Sequence, residues 1–144
     1  MAAQIKSAGY SGTPLSKKLG IKEGSQVCVV NAPEDYRLLL EPIPAAVTFN
    51  RSPGARTDLA HLFVTRRRDL ERHLASLRAA LADTTPVWVS WPKKSARLPT
   101  DVTEDTVRAV ALPMGFVDIK VCAVSEVWSG LKLVVRKELR SKAT

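Results

Sequence analysis

Apolar residues fall along this chain in two alternating rhythms. Short, nearly unbroken apolar runs, "QVCVVN", "AAVTFN", "DLAHLFVT", "PVWVSW" and "VDIKVCAV", have the length and make-up of buried strands. Between them lie segments with a helical period. The clearest is "RRRDLERHLASLRAALA", where Leu70, Leu74, Leu77 and Leu81 fall on one face. Strands alternating with helices require crossovers, and therefore a mostly parallel sheet with helices on both faces. The pattern predicts one small Rossmann-like three-layer α/β domain.

Local signals refine the boundaries. "TPLSKKLG" predicts a short helix, with Thr13 as its cap, Pro14 at the first helical position and Gly20 as a left-handed stop. "APEDYRLLLEPIP" predicts a second, with Glu34 and Asp35 in its first turn. Thr65 is placed to cap the leucine-rich helix. "TEDTVRAVAL" predicts a further helix, stopped by Pro113 and Gly115, with Asp101, Glu104 and Asp105 clustered where a helix start favours them. "LKLVVRK" follows the fifth strand after only "SEVWSG", so the last two strands are expected to pair as an antiparallel hairpin.

Composition narrows the class. A chain of 144 residues, 45% of them hydrophobic, can bury a sizeable core as a single domain without disulfides. Cys28 and Cys122 each sit among valines, read as small buried hydrophobes in a reducing compartment, and they do not form a zinc-type pair. No run approaches the ~18 apolar residues of a membrane span, and "MAAQIKSAGYSG" has no apolar signal core, so a cytoplasmic location is expected. The net charge of +8 favours anionic partners. Half of it collects from Lys132 onward, and residues 137–144 are expected to be a flexible basic tail.

In an open parallel sheet, ligands bind beyond the carboxyl ends of the strands. That edge should collect Asn31, Ala32 and Pro33 after the first strand, Thr65 to Arg68 after the third, Trp91 to Lys94 after the fourth, and Ser125 to Trp128 after the fifth. Arg66, Arg67 and Arg68 occupy the first turn of a helix, where the macrodipole disfavours cations. A bound phosphate or carboxylate would turn that placement into an advantage. Arg66, Arg67, Lys93 and Lys94 are therefore the candidate anion ligands, with Trp91 and Trp128 as candidate aromatic contacts.

Other chemistry finds little support. The first loop, "NAPED", has no glycine, and the second strand ends in Asn50 and Arg51 rather than an acid. Both features of a standard dinucleotide or S-adenosylmethionine site are missing, and no cofactor is expected. "GYSGTPLSKK" lacks the preceding strand and the Gly-Lys-Ser/Thr order of a phosphate-binding loop; Tyr10 and Leu15 are read instead as fastening its helix to the domain. There is no nucleophile elbow. His61 in the third strand is read as a hydrogen-bonded structural residue, and His73 lies on a helix dense in charge. No metal site is expected.

Two resemblances add to this reading. The "DLAHLFV" strand with its following helix, together with the terminal hairpin, resembles the layout of the later part of class I methyltransferases. The blocks "GYSGTPLSKKLGIKEG", "NAPEDY", "VWVSWPKKS", "TDVTEDTVR" and "GFVDIKVCAVSEVWSGLKLVVR" resemble the bacterial family catalogued as domain of unknown function 3052, over residues 9–136. That resemblance implies one compact bacterial domain and supplies no activity. The function expected from the sequence is thus a non-catalytic module engaging nucleic acid or a phosphorylated metabolite at the carboxyl edge. The alternatives are a divergent methyltransferase-like enzyme, with Asp101, Glu126 and His61 as the first residues to inspect, and a domain that binds another protein.

Overall fold

The structure, a computed structural model, describes residues 12–140. Six strands form one sheet: β1 (Gln26–Val30), β2 (Thr48–Asn50), β3 (Leu59–Phe63), β4 (Val87–Pro92), β5 (Phe116–Ala123) and β6 (Trp128–Val135). Their order is β2-β1-β3-β4-β6-β5. The first four pair in parallel, and β6 runs antiparallel to both β4 and β5. The fold is a Rossmann-like arrangement with a C-terminal antiparallel pair.

Helices cover both faces. On one side lie α3 (Arg67–Ala80) and α4 (Glu104–Ala111). Leu70, Leu74 and Leu77 of α3 and Val107, Val110 and Ala111 of α4 pack on Val87, Val89, Leu131 and Leu133. On the other side α1 (Leu15–Leu19) and α2 (Tyr36–Leu40) cover Val27, Val29, Leu59, Phe63 and Trp88. The Trp88 indole donates to the Leu19 carbonyl at 3.0 Å, which ties α1 to the middle of the sheet. Strands covered on both faces lose their polar alternation, and β3 and β4 are buried at every position.

Three helix starts differ from their sequence signals. Pro14 rather than Thr13 flanks α1, with no side-chain cap, although Gly20 does take the left-handed stop at φ 90°. Glu34 and Asp35 precede α2, which is a single turn. Thr65 does not cap α3; the flanking residue is Arg66, and the carboxylate of Asp101 instead accepts the Arg67 amide at 2.6 Å. Thr103 caps α4 in a reciprocal box with Thr106. The helix then tightens into a 3-10 turn, Leu112–Met114, which accommodates Pro113 before Gly115 reverses the chain at φ 97°.

Of the presumed tail, Lys137–Leu139 form a 3-10 turn, and Arg140 donates to the Val135 carbonyl at 2.8 Å. Residues 141–144 and Tyr10 lie outside the described residues. Leu15, the other residue assigned to fastening α1, is buried. No helix among the described residues is long and apolar enough to cross a membrane.

Candidate functional site

The chain leaves β1 toward β2 on one side, whereas β3 leads to β4 on the other, so strand order reverses between β1 and β3. Loops that diverge at such a point open a crevice at the carboxyl edge. A cleft of about 690 Å³ lies there, floored by Val29 and Val30 and bounded by the loop Asn31 to Glu34, by Tyr36 and Arg37 of α2, and by the end of β2.

Each wall has a physical cause. Asn31 takes φ 60°, the left-handed conformation in which asparagine is among the few tolerated non-glycine residues, and so turns the chain sharply out of β1. Arg37 stacks its guanidinium 4.5 Å from the centroid of Phe49, which joins α2 to β2 across the cleft. Asn50 and Arg51 close the far side. The cleft thus presents one acid, Glu34, two guanidinium groups, two amides and a half-buried ring.

Behind it runs a buried polar chain. The Tyr36 hydroxyl meets His61 Nδ1 at 2.8 Å, and His61 Nε2 meets Ser90 Oγ at 2.8 Å. His61 has no exposed surface, and burial pushes its imidazole down to about 3, so the ring is neutral. Burial also raises the Tyr36 hydroxyl above its ordinary range. A neutral ring has one donor and one acceptor nitrogen, and the two hydroxyls satisfy both. Phe63 stacks on His61 at 4.3 Å, and Tyr36 packs edge-on against Phe49 and Phe63. The chain holds Tyr36 rigid as a wall of the cleft. Sequence reading singled out only His61 of the three, because they come from three elements; the available signal was a polar residue in each of two otherwise apolar strands.

The candidate residues of the cationic edge are placed as follows. Arg66 and Arg67 follow β3, and Lys93 and Lys94 follow the neighbouring β4, so all four lie at the carboxyl edge. Arg66, Arg67 and Arg68 line a shallower hollow of about 440 Å³ together with Glu71 and Asp101. Asp101 supplies the carboxylate that the start of α3 calls for, and Glu71 pairs with Arg67 at 3.2 Å. Burial lowers Lys93, and the nearby Glu126 opposes that shift.

The two indoles do not meet at this edge. Trp91 is only 6% exposed and belongs to the core beneath α3 and α4, whereas Trp128 packs on the opposite face, edge-on to Phe63 at 5.0 Å. Trp128 pairs with Pro92, one position beyond Trp91, and a single step along a strand reverses the side chain. Among the described residues no group of three or more His, Cys, Asp or Glu side chains is placed to hold a metal ion. Asp101, Glu104 and Asp105 are engaged in structure: the first caps α3, and the other two pair with Arg108, which also binds Asp118 at 2.9 Å.

No protein-family model matches the chain, and no curated protein matches it. Solved structures do. A putative type 11 methyltransferase from Sulfolobus solfataricus superposes with a TM-score of 0.61 at 14% identity, over 90% of this chain and 92% of that one. The pyocyanin biosynthetic protein PhzM gives 0.63 at 14% identity, over 85% of this chain and 53% of PhzM. A SAM-dependent methyltransferase from Aquifex aeolicus gives 0.51 at 16% identity, over 83% and 87%. The likeness therefore takes in the early strands as well as the later part of the chain, and at these identities it concerns the fold.

Proposed function

We propose that this chain is a divergent methyltransferase-fold protein that binds a zwitterionic nucleoside, of the S-adenosylmethionine or S-adenosylhomocysteine type, in the cleft at the ends of β1 and β2. The observation that carries this reading is the cleft's position at the strand-order reversal together with its mixed charge. Arg37 and Arg51 suit a carboxylate, Glu34 suits an ammonium or ribose hydroxyl groups, and Phe49 offers a ring edge. A dinucleotide diphosphate fits poorly. Its charge belongs at a helix start, but here α2 is one turn long and is preceded by Glu34 and Asp35. The solved methyltransferases support the same choice of ligand, and methyl transfer is the enzymatic extension of it.

Thermal unfolding with S-adenosylmethionine, S-adenosylhomocysteine, ADP and NAD tests the reading. The two adenosyl amino acids should raise Tm saturably, by an amount set by ligand concentration over Kd, and Arg51→Glu should abolish the shift. Absence of a shift with either compound, or an equal shift in Arg51→Glu, would overturn it. Incubation with methyl-labelled S-adenosylmethionine and cell extract then separates an enzyme from a binding protein.

A second reading concerns the adjoining edge. Arg66, Arg68 and Lys94 are exposed and form no salt bridge among the described residues, which supports a phosphorylated metabolite as an anionic partner there. The free thiols of Cys28 and Cys122 support action in the reducing cytoplasm.

A further inference from the structure

A second cationic surface lies on the α1 face of the sheet, and its lining shares no residue with the cleft or with the hollow at Arg66 to Arg68. Between α1 and β5 runs an open trough of about 780 Å³, lined by Lys17 and Lys18 of α1, by Lys120 and Cys122 of β5, and by the hydroxyl residues Thr13 and Ser129. Burial raises the Cys122 thiol, while Lys18 and Lys120 both pull it down, so these two charges converge on one point from different elements.

The backbone directs Lys120 there. Asp118 faces α4, where Arg108 binds it. Regular alternation would send Lys120 to that same face. The ladder is irregular between Asp118 and Lys120, and beyond the irregularity Lys120 stands opposite Lys132. Lys132 in turn pairs with Trp88, whose indole packs beneath α1. Directly paired residues share a face, so the extra residue turns Lys120 onto the α1 side, beside another lysine. Like charges directly opposite each other destabilise a hairpin. Among the described residues none of Lys17, Lys18, Lys120 and Lys132 is in a salt bridge. At the carboxyl edge, by contrast, Asp101, Glu71 and Glu126 already stand beside the cations.

We infer that the trough between α1 and β5 seats the phosphate backbone of a nucleic acid, held by Lys17, Lys18, Lys120 and Lys132 without reading its sequence. Lysine suits this use, as a compact point charge on a flexible stem, and the open trough admits a polymer.

Fluorescence anisotropy of the full chain with two labelled single-stranded 20-mers of unrelated sequence, across a salt series, tests it. Both should bind alike, with a log–log salt slope near −3 for about four contacts. Lys18→Gln with Lys120→Gln should lower the slope by about half and weaken binding roughly tenfold or more. The matching Lys→Arg pair should restore binding, and Arg66→Gln with Lys94→Gln should leave it unchanged. Trough-variant curves that superimpose on the wild type would overturn the inference. So would a loss confined to the edge variant, failure of the arginine pair to rescue, or binding of tripolyphosphate without either oligonucleotide.

Discussion

The carboxylate of Asp101 caps the amide of Arg67, 34 residues away, at 2.6 Å. Three arginines at a helix start create a demand for negative charge, and this chain meets it from the loop before α4. Asp101→Ala should destabilise the fold by about 1 kcal/mol, the usual value of a cap, seen as a Tm lower by roughly 3 °C. The variant should also gain more than the wild type from added sulfate, which can take the vacated position. Equal sulfate responses would show that the carboxylate is not meeting this demand.

His61 sets an acid limit on stability. Its folded-state value lies near 3, below the ordinary 6.5, so the unfolded chain binds the extra proton. The contribution is fully present above pH 6.5 and falls as pH drops toward 3, at up to about 1.4 kcal/mol per pH unit. Chemical denaturation between pH 6.5 and 5 should therefore show a slope that His61→Asn removes. His73, also lowered by burial, is controlled by His73→Gln.

Tyr36→Phe and Ser90→Ala each strand one nitrogen of a fully buried ring. Each should cost roughly 1–3 kcal/mol in urea unfolding. The two hydroxyls together fix one tautomer of a shared ring, so the double variant should depart from additivity by about 0.5 kcal/mol or more.

Asn31 should accept glycine and reject valine. At φ 60° the β-branched side chain costs roughly 1–2 kcal/mol, whereas glycine is unstrained. Thermal melts of Asn31→Gly and Asn31→Val separate the two. If the left-handed turn shapes the cleft, only the valine variant also loses ligand-induced stabilisation.

Much of the architecture was legible because each element carries its own signal. Leu70, Leu74 and Leu77 announce α3, and the short link between β5 and β6 announces a hairpin. The helix starts were less legible. A nearby Thr65 looks like a cap, yet the real partner of Arg67 lies in another loop, and nothing local distinguishes the two. The sides taken by Trp91 and Trp128 were hidden for a related reason: β4 is buried at every position and carries large apolar residues on both faces, so its alternation leaves little trace in the residue types. Proximity of the loop after β1 to the end of β2 followed from the parallel order. The Tyr36, His61 and Ser90 chain did not, since it depends on register across three elements. The turn of Lys120 to the α1 face depends on one extra residue, which a period-two pattern cannot show.

The place of β6, between β4 and β5, has a consequence for synthesis. Until residues 128–135 have left the ribosome, β4 carries a bare edge and β5 has no neighbour. The inner faces of α3 and α4 also lack Leu131 and Leu133 beneath them. The sheet of the nascent chain is therefore completed late, and a stop codon even slightly upstream of Trp128 would leave a sticky intermediate for proteases and chaperones to clear.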